Sequence, residues 1–331
     1  MAGPLRLVFL GSDPIALPLL NWMAGEGSVA AKVIGVFTNP DRASGRGQQV
    51  QPGAIAAWAA AHSIPAFQPA KLDAAATSAL ASLEADLALV VAYGHILREV
   101  FIETPRLGTL NLHASLLPAY RGASPIQTAI AMGDRQTGLS LMRIVAELDA
   151  GPVADTETVG IGPGDTAIDV EAKLASAAIP LVSRGLPALA RGELPFVEQD
   201  RTRVSYCRRL GKTDRALDFA APAAVLAARI NGLYPWPAVT IPVLGLGVRL
   251  GLALASPQIS GAEPGTVLGL DGTALAVATG AGTLRILRLQ RPGGRMLVAG
   301  EFLRGFPVAP GTVLSSTPMP PLAGPVPFPR V

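Results

Sequence analysis

The sequence predicts an α/β protein: a Rossmann-like, mostly parallel sheet, followed by a small β-barrel domain. Two patterns carry this expectation. Over the first 150 residues, short continuous apolar runs alternate with helix-like stretches, as strands buried on both faces do. From about Val239 onward the texture changes to closely spaced β-type runs punctuated by glycine, as in a small barrel. The 331 residues suffice for two domains, each with its own core.

Taken in order, Leu7–Leu10 reads as a buried strand ended by Gly11-Ser12, with a helix from Pro14 to Met23. Val33–Phe37 is a second strand, and helices follow over Gly53–His62 and Ala74–Glu84. Leu87–Ala92 and Thr109–His113 are the third and fourth strands. In such sheets the site lies at the carboxyl ends of the strands. The unusual residues fall there, at 38–52, 93–97 and 111–122. A further helix covers 166–190, and Arg191-Gly192-Glu193-Leu194-Pro195 breaks it before a polar connector over 198–205. Short strands are expected at Thr240–Val243, Val248–Ala253, Gly265–Leu268, Leu275–Ala278 and Leu284–Leu289. The domain division is therefore 1–190, a linker at 191–205, a second domain at 206–314, and a proline-rich tail at 315–331. That tail is expected to be extended and mobile.

Composition narrows the function. With 50% apolar and 15% charged residues the chain is not disordered as a whole. No apolar run approaches the ~20 residues that span a bilayer, and no signal-peptide pattern is present, so a cytoplasmic location is expected. The single cysteine, Cys207, excludes an internal disulfide, and the scattered His62, His95 and His113 give no metal-ligand spacing, so no metal is expected. Charge is uneven. Residues 1–205 hold 15 Lys/Arg and 19 Asp/Glu, whereas 206–331 hold 12 and 5. The basic second part fits an anionic partner, although compositional drift gives the same numbers.

A dinucleotide site is dismissed first. The stretch Gly11-Ser12-Asp13-Pro14-Ile15-Ala16 has one glycine where the fingerprint needs three. The informative stretch is Asn111-Leu112-His113-Ala114-Ser115-Leu116-Leu117-Pro118-Ala119-Tyr120-Arg121-Gly122. Residues i and i+2 of a strand share a face, so Asn111 and His113 project together. An amide donor beside an imidazole suits a carbonyl oxygen that becomes negative during acyl transfer. The same pair also fits ordinary hydrogen-bonded residues at a strand end. Downstream, Asp149 sits in Glu147-Leu148-Asp149-Ala150-Gly151-Pro152, on a loop from which a carboxylate can reach a histidine. An Asx-type turn is the alternative use of that residue.

Together, Asn111-x-His113, Ser115-Leu116-Leu117-Pro118, Arg121-Gly122-x-x-Pro125-Ile126 and Leu148-Asp149-x-Gly151 resemble the folate-dependent formyltransferases. Supporting stretches are Gly35–Arg42, Gly45-Arg46-Gly47, Val90–Gly94, Tyr234-Pro235-Trp236-Pro237 and Pro264–Val267, so the resemblance spans roughly 5–314 and leaves out the tail. It runs along the members that formylate an aminoacyl-tRNA. It implies a formyltransferase fold with an OB-like, tRNA-binding C-terminal domain. It also implies 10-formyltetrahydrofolate as donor and the α-amino group of initiator methionyl-tRNA as acceptor, in a monomer. Asn111, His113 and Asp149 match the catalytic trio of that family. Ser115, Leu116, Leu117 and Pro118 match its folate-binding segment, and Tyr93 and Gly94 the wall that receives the pterin. The loop at 41–52, with Arg42 and Arg46, resembles the insertion that approaches the acceptor end of the tRNA. Arg291 and Arg295 flank a Pro-Gly-Gly turn suited to phosphates. On the strand at 284–289, Arg285 and Leu287 are expected on one face and Arg288 on the other.

Two departures stand out. Gln48 and Gln49 occupy positions where lysines are usual, and Ile144-Val145-Ala146-Glu147 stands where the family has Met-Asp ahead of its Gly-Leu-Asp. Competing readings are a formyltransferase acting on a sugar or nucleotide amine, a formyltetrahydrofolate hydrolase, and a folate- or RNA-binding module without catalysis. The first two need no basic second domain, and the last gives an intact trio no purpose.

Overall fold

The computed structural model describes residues 3–44 and 49–329. Strands of the main sheet are β1 (Leu5–Gly11), β2 (Ala31–Phe37), β3 (Ala66–Phe67), β4 (Leu87–Val91), β5 (Thr109–His113), β6 (Gln136–Arg143) and β7 (Val153–Gly160). Their order across the sheet is β7-β6-β5-β4-β1-β2-β3. The pairs β1–β2, β1–β4, β2–β3 and β4–β5 are parallel, and β5–β6 is antiparallel. The chain thus winds outward from β1 through β2 and β3, then returns to the other side of β1 through β4. That reversal is the switch point at whose carboxyl edge α/β proteins place their sites.

The continuous apolar runs are buried on both faces, as expected for covered parallel strands. Val8, Leu10, Phe37, Leu80, Ala88, Val90 and Phe101 form one core layer. Within it Phe37 stacks on Phe67 at 4.8 Å and meets Phe101 edge-on at 5.7 Å. The lone glycine at the end of β1 has a packing reason. A Cβ on Gly11 would lie 2.6 Å from the Val91 carbonyl oxygen, so β1 and β4 approach there without room for a side chain.

The predicted helices occur as a 3-10 turn Pro14–Ala16 leading into Leu17–Ala24, and as Ala54–Ala61, Ala74–Ser82 and Ala167–Ala190. Among the described residues no helix is long and apolar enough to cross a membrane.

The chain divides into two compact units, each drawn from three stretches of sequence. One unit comprises Met1–Arg121, Gly138–Val159 and Ala172–Val204; the other comprises Gly122–Thr137, Gly160–Glu171 and Ser205–Val331. Residues 191–204 thus pack within the first unit. The second unit contains an antiparallel sheet of β8 (Thr240–Val243), β9 (Leu246–Ser256), β10 (Val267–Asp271), β11 (Ala274–Ala278), β12 (Thr283–Gln290) and β13 (Leu297–Val298). The order is β8-β9-β12-β11-β10, and β13 pairs with β12. Its core gathers Phe219, Leu226, Ile230, Val248, Leu250, Val277, Leu284, Ile286 and Leu289.

Along β12, Leu284, Ile286 and Leu289 are buried and Arg288 is exposed; the pairing with β9 shifts register on either side of Leu252, past Gly251 on one side and past Leu287 on the other. One expectation for this unit is corrected. The tail is not a loose end. Leu322 is 2% exposed within the core, and Ala323–Gly324 pairs with Tyr206–Cys207. Thr317 N donates to Leu217 O at 2.8 Å and Phe219 N to Ser316 Oγ at 2.9 Å. Proline removes a donor but keeps its carbonyl. The tail's prolines therefore serve as acceptors, with Arg208 Nε on Pro321 O at 3.0 Å and Arg229 Nη2 on Pro320 O at 3.3 Å. Arg208 also pairs with the fully buried Asp214.

Candidate active site

β5 lies between β4 and β6, with Asn111 opposite Val90 and Met142, and His113 opposite Ser140. Asn111 is half-buried and His113 buried on the face they share. The Asp149 loop returns the chain from β6 to β7, Arg143 N donating to Pro152 O at 3.0 Å. A Cβ on Gly151 would lie 2.0 Å from the Arg143 carbonyl oxygen, so only glycine allows the loop this close to the strand. That approach carries Asp149 Oδ2 to 3.7 Å from His113 Nδ1, with side chains 18% and 6% exposed. The other ring nitrogen, Nε2, lies 3.0 Å from the Tyr120 carbonyl oxygen. A carbonyl only accepts, so Nε2 carries a hydrogen and Nδ1 is the nitrogen turned to the carboxylate.

The segment after β5 is pinned from below by Ser140, which is fully buried. Ser140 Oγ donates to Ser115 O at 2.7 Å and accepts from Leu117 N at 3.0 Å. Ser115 Oγ in turn donates to Ala119 O at 2.5 Å, and the Leu117–Pro118 bond is cis. A cavity of about 380 Å³ opens beside this segment, lined by Leu117, Pro118, Thr156, Val197, Gln199 and Asp200 among others.

At the carboxyl end of β4, Tyr93 is buried and its hydroxyl has no hydrogen-bond partner among the described residues. Burial pushes its pKa up to about 12, so the hydroxyl stays a donor. Its ring lies 4.7 Å from that of His95, whose Nε2 meets Asn39 Oδ1 at 2.6 Å. Gly94, with φ +78°, turns the backbone between them. An unpartnered buried donor is the feature that fits a polar heterocycle on this wall.

The neck of the 41–52 loop is closed by Asp41, whose Oδ1 accepts from Gln68 Nε2 at 2.6 Å and from Gly53 N at 3.2 Å. Arg42 is exposed on a short strand paired with Gln49–Gln51. Arg46 and Gln48 lie outside the described residues. Arg291 and Arg295 belong to the second unit, exposed on either side of a turn with Gly293 at φ +71°. Among the described residues no three His, Cys, Asp or Glu side chains gather as a metal site would need.

Sequence reasoning missed three residues here. Ser140 left a trace, a serine at a buried position of an apolar strand. Arg121 stood in a quoted motif without a role. Gln199 left no trace, because it sits in a polar stretch that reads as a connector.

Comparison with known proteins identifies the family. Residues 5–185 match the formyl transferase family model and residues 209–307 its C-terminal domain. A methionyl-tRNA formyltransferase of Parvibaculum lavamentivorans is 40% identical over 310 residues, 93% of this chain and 99% of the relative. One of Methylobacterium nodulans is 40% identical over 315 residues, 94% of this chain and 100% of the relative. Among solved structures, an N-formyltransferase from Helicobacter canadensis complexed with folinic acid and dTDP-3-aminofucose superposes with a TM-score of 0.64 at 16% identity, covering 85% of this chain and 98% of its own. HypX from Aquifex aeolicus with tetrahydrofolic acid gives 0.61 at 17% identity, over 95% of this chain and 51% of its own. These likenesses show a shared fold. With both domain models matched and relatives aligned almost end to end, the chain belongs to the formyltransferase family, in the group of the methionyl-tRNA formyltransferases.

Proposed function

We propose that the protein transfers a formyl group from 10-formyltetrahydrofolate to the α-amino group of methionine on initiator tRNA, for translation initiation in the cytoplasm. The observation that carries this reading is the approach of Asp149 to His113 at 3.7 Å, beside Asn111 on the same strand face. The amine attacks the formyl carbon directly, and the formyl oxygen takes up negative charge. Asn111 donates a hydrogen bond to that oxygen, and His113 donates one through Nε2–H, the formyl oxygen taking the place of the Tyr120 carbonyl that accepts it in the free protein; removing a donor of this kind costs roughly 3 kcal/mol of barrier. Asp149 holds the Nδ1 hydrogen of His113 and receives the proton that the amine sheds. The departing folate nitrogen regains one, so the protons balance with no covalent enzyme intermediate.

Ser115–Pro118 and the Tyr93–Gly94 wall would hold the folate, with the Tyr93 hydroxyl as donor to a polar edge of the pterin. Arg42 and Arg46 would meet the acceptor end of the tRNA. The second unit, with Arg291 and Arg295, would contact phosphates, positioning the RNA without reading its sequence. Support for that role is the excess of basic residues after Tyr206 and the exposure of both arginines.

The test supplies 10-formyltetrahydrofolate with methionyl initiator tRNA, uncharged tRNA, or a nucleotide-linked amino sugar, and follows release of tetrahydrofolate. Release with the charged tRNA alone supports the reading. Release with the amino sugar, or release that no acceptor affects, overturns it.

A further inference from the structure

Asp149 is held at His113 from outside its own loop as well. Its φ is +48°, in the left-handed region that aspartate enters more readily than most residues but still only as a minority conformation. Within the loop Ala150 N donates to Glu147 O over a long 3.3 Å. What grips the loop comes from 50 residues away. Gln199 Nε2 donates to the carbonyl oxygens of Asp149 and Gly151, both at 2.8 Å. The register of Gln199 is fixed two residues earlier, where Val197 and Val153 exchange N–H···O bonds of 2.9 Å in both directions.

The other end of the same amide is anchored with equal care. Gln199 Oε1 accepts from Arg121 Nε at 3.0 Å and Nη2 at 2.9 Å. The Arg121 side chain is 4% exposed, and its remaining arm reaches Glu147 at 3.1 Å, a carboxylate that is 60% exposed. A guanidinium fork on an amide oxygen polarises the amide and strengthens what its N–H groups donate. Two acceptances and two donations use the full capacity of a glutamine side chain. Only an amide of this length meets a buried cation on one side and two carbonyls on the other. A glutamate would keep the arginine but turn lone pairs toward both carbonyls.

We infer that Gln199 is the positioning residue that sets Asp149 against His113, acting through the Asp149 and Gly151 carbonyls from an anchor on Arg121. This rests on the proposed catalytic role of Asp149. All four hydrogen-bonding positions of the Gln199 amide are taken by Arg121 and the two carbonyls, so its effect passes through the carboxylate.

The experiment is a double-variant cycle in single-turnover formyl transfer with saturating enzyme, using the full chain. Asp149→Asn alone tests the underlying reading, since an unchanged rate would remove Asp149 from the chemistry. Gln199→Glu is expected to lower the single-turnover rate about 10–100-fold, with KM for folate and for tRNA within about twofold. In the Asp149→Asn background the same change is expected to cost less than about threefold, because the group it positions is already gone. If Asp149→Asn is slow but Gln199→Glu reacts at the parent rate, or if the two losses multiply, the positioning role is overturned and the reading of Asp149 stands. If Gln199→Glu gives no cooperative unfolding transition, Gln199→Met, of similar length but without polar atoms, enters the same cycle with the same two outcomes.

Discussion

Leu322→Ala is a severe test of how the C-terminal residues are used. Leu322 is 2% exposed and belongs to the core of the second unit, beside a backbone that pairs with Tyr206–Cys207. Truncating a buried leucine costs ~2–5 kcal/mol, from lost transfer free energy and from the cavity left behind. A site near the chain end collapses more readily than a central one, which places this change near the lower end, at ~2–3 kcal/mol. For a unit of this size each kcal/mol lowers Tm by roughly 2–4 °C, so a downward shift of about 4–12 °C is expected. Calorimetry of the full chain reads it, and in a two-unit protein the shift belongs to the transition of the second unit. Val326→Ala is the control, since Val326 is 66% exposed and should move Tm by ~1 °C or less, as surface changes do. Equal Tm values for Leu322→Ala and the parent would show that the tail is not part of the core.

Three further outcomes follow from particular contacts. Ser140→Ala leaves the Ser115 carbonyl and the Leu117 N–H without their buried partner; a loss of ~2–4 kcal/mol in urea unfolding is expected, together with weaker tetrahydrofolate binding, and an unchanged Kd would detach the segment from folate. Tyr93→Phe removes an unpartnered buried hydroxyl, so stability is expected to hold or rise while tetrahydrofolate affinity falls about 3–10-fold; because the folded pKa of about 12 lies above the ordinary 10.0, the parent also loses stability as pH climbs between those values and the variant does not. Asp86 is held below its ordinary 3.8 by the Arg6 backbone N–H and by Arg106, so its contribution is present above that pH and fades as pH falls through the folded value; Asp86→Asn should lower the unfolding midpoint more at pH 7 than at pH 2, and an equal gap at both would refute this.

Much of this architecture is legible in the amino-acid order because it depends on local pattern. Leu7–Leu10, Val33–Phe37 and Leu87–Ala92 are apolar without a break, and each lies within or within one residue of an observed strand. That Asn111 and His113 share a face of β5 is legible for a similar reason, since it follows from the period of two along a strand. Contacts that span long separations left no such mark. Gln199 reaches Asp149 across 50 residues, and Arg229 reaches Pro320 across 91. A proline-rich tail reads as loose because prolines forbid helix, yet its carbonyls are available to any buried arginine. The break in alternation that buries Leu289 and exposes Arg288 goes with register shifts that a period of two cannot anticipate. That 122–137 and 160–171 cluster with the C-terminal unit is likewise invisible to a linear reading.

Formyl transfer by Asn111, His113 and Asp149 stands or falls most directly on one comparison. The parent, His113→Ala and Asp149→Asn are each given 10-formyltetrahydrofolate and methionyl initiator tRNA, and both the rate of formyl-methionyl-tRNA formation and the tRNA Kd are measured. The expected result is formation by the parent, a fall of roughly 10²–10⁴ in rate for each variant, and a tRNA Kd within about twofold of the parent. No formyl-methionyl-tRNA from the parent, variants that react at the parent rate, or tRNA affinity that falls in step with the rate would contradict it.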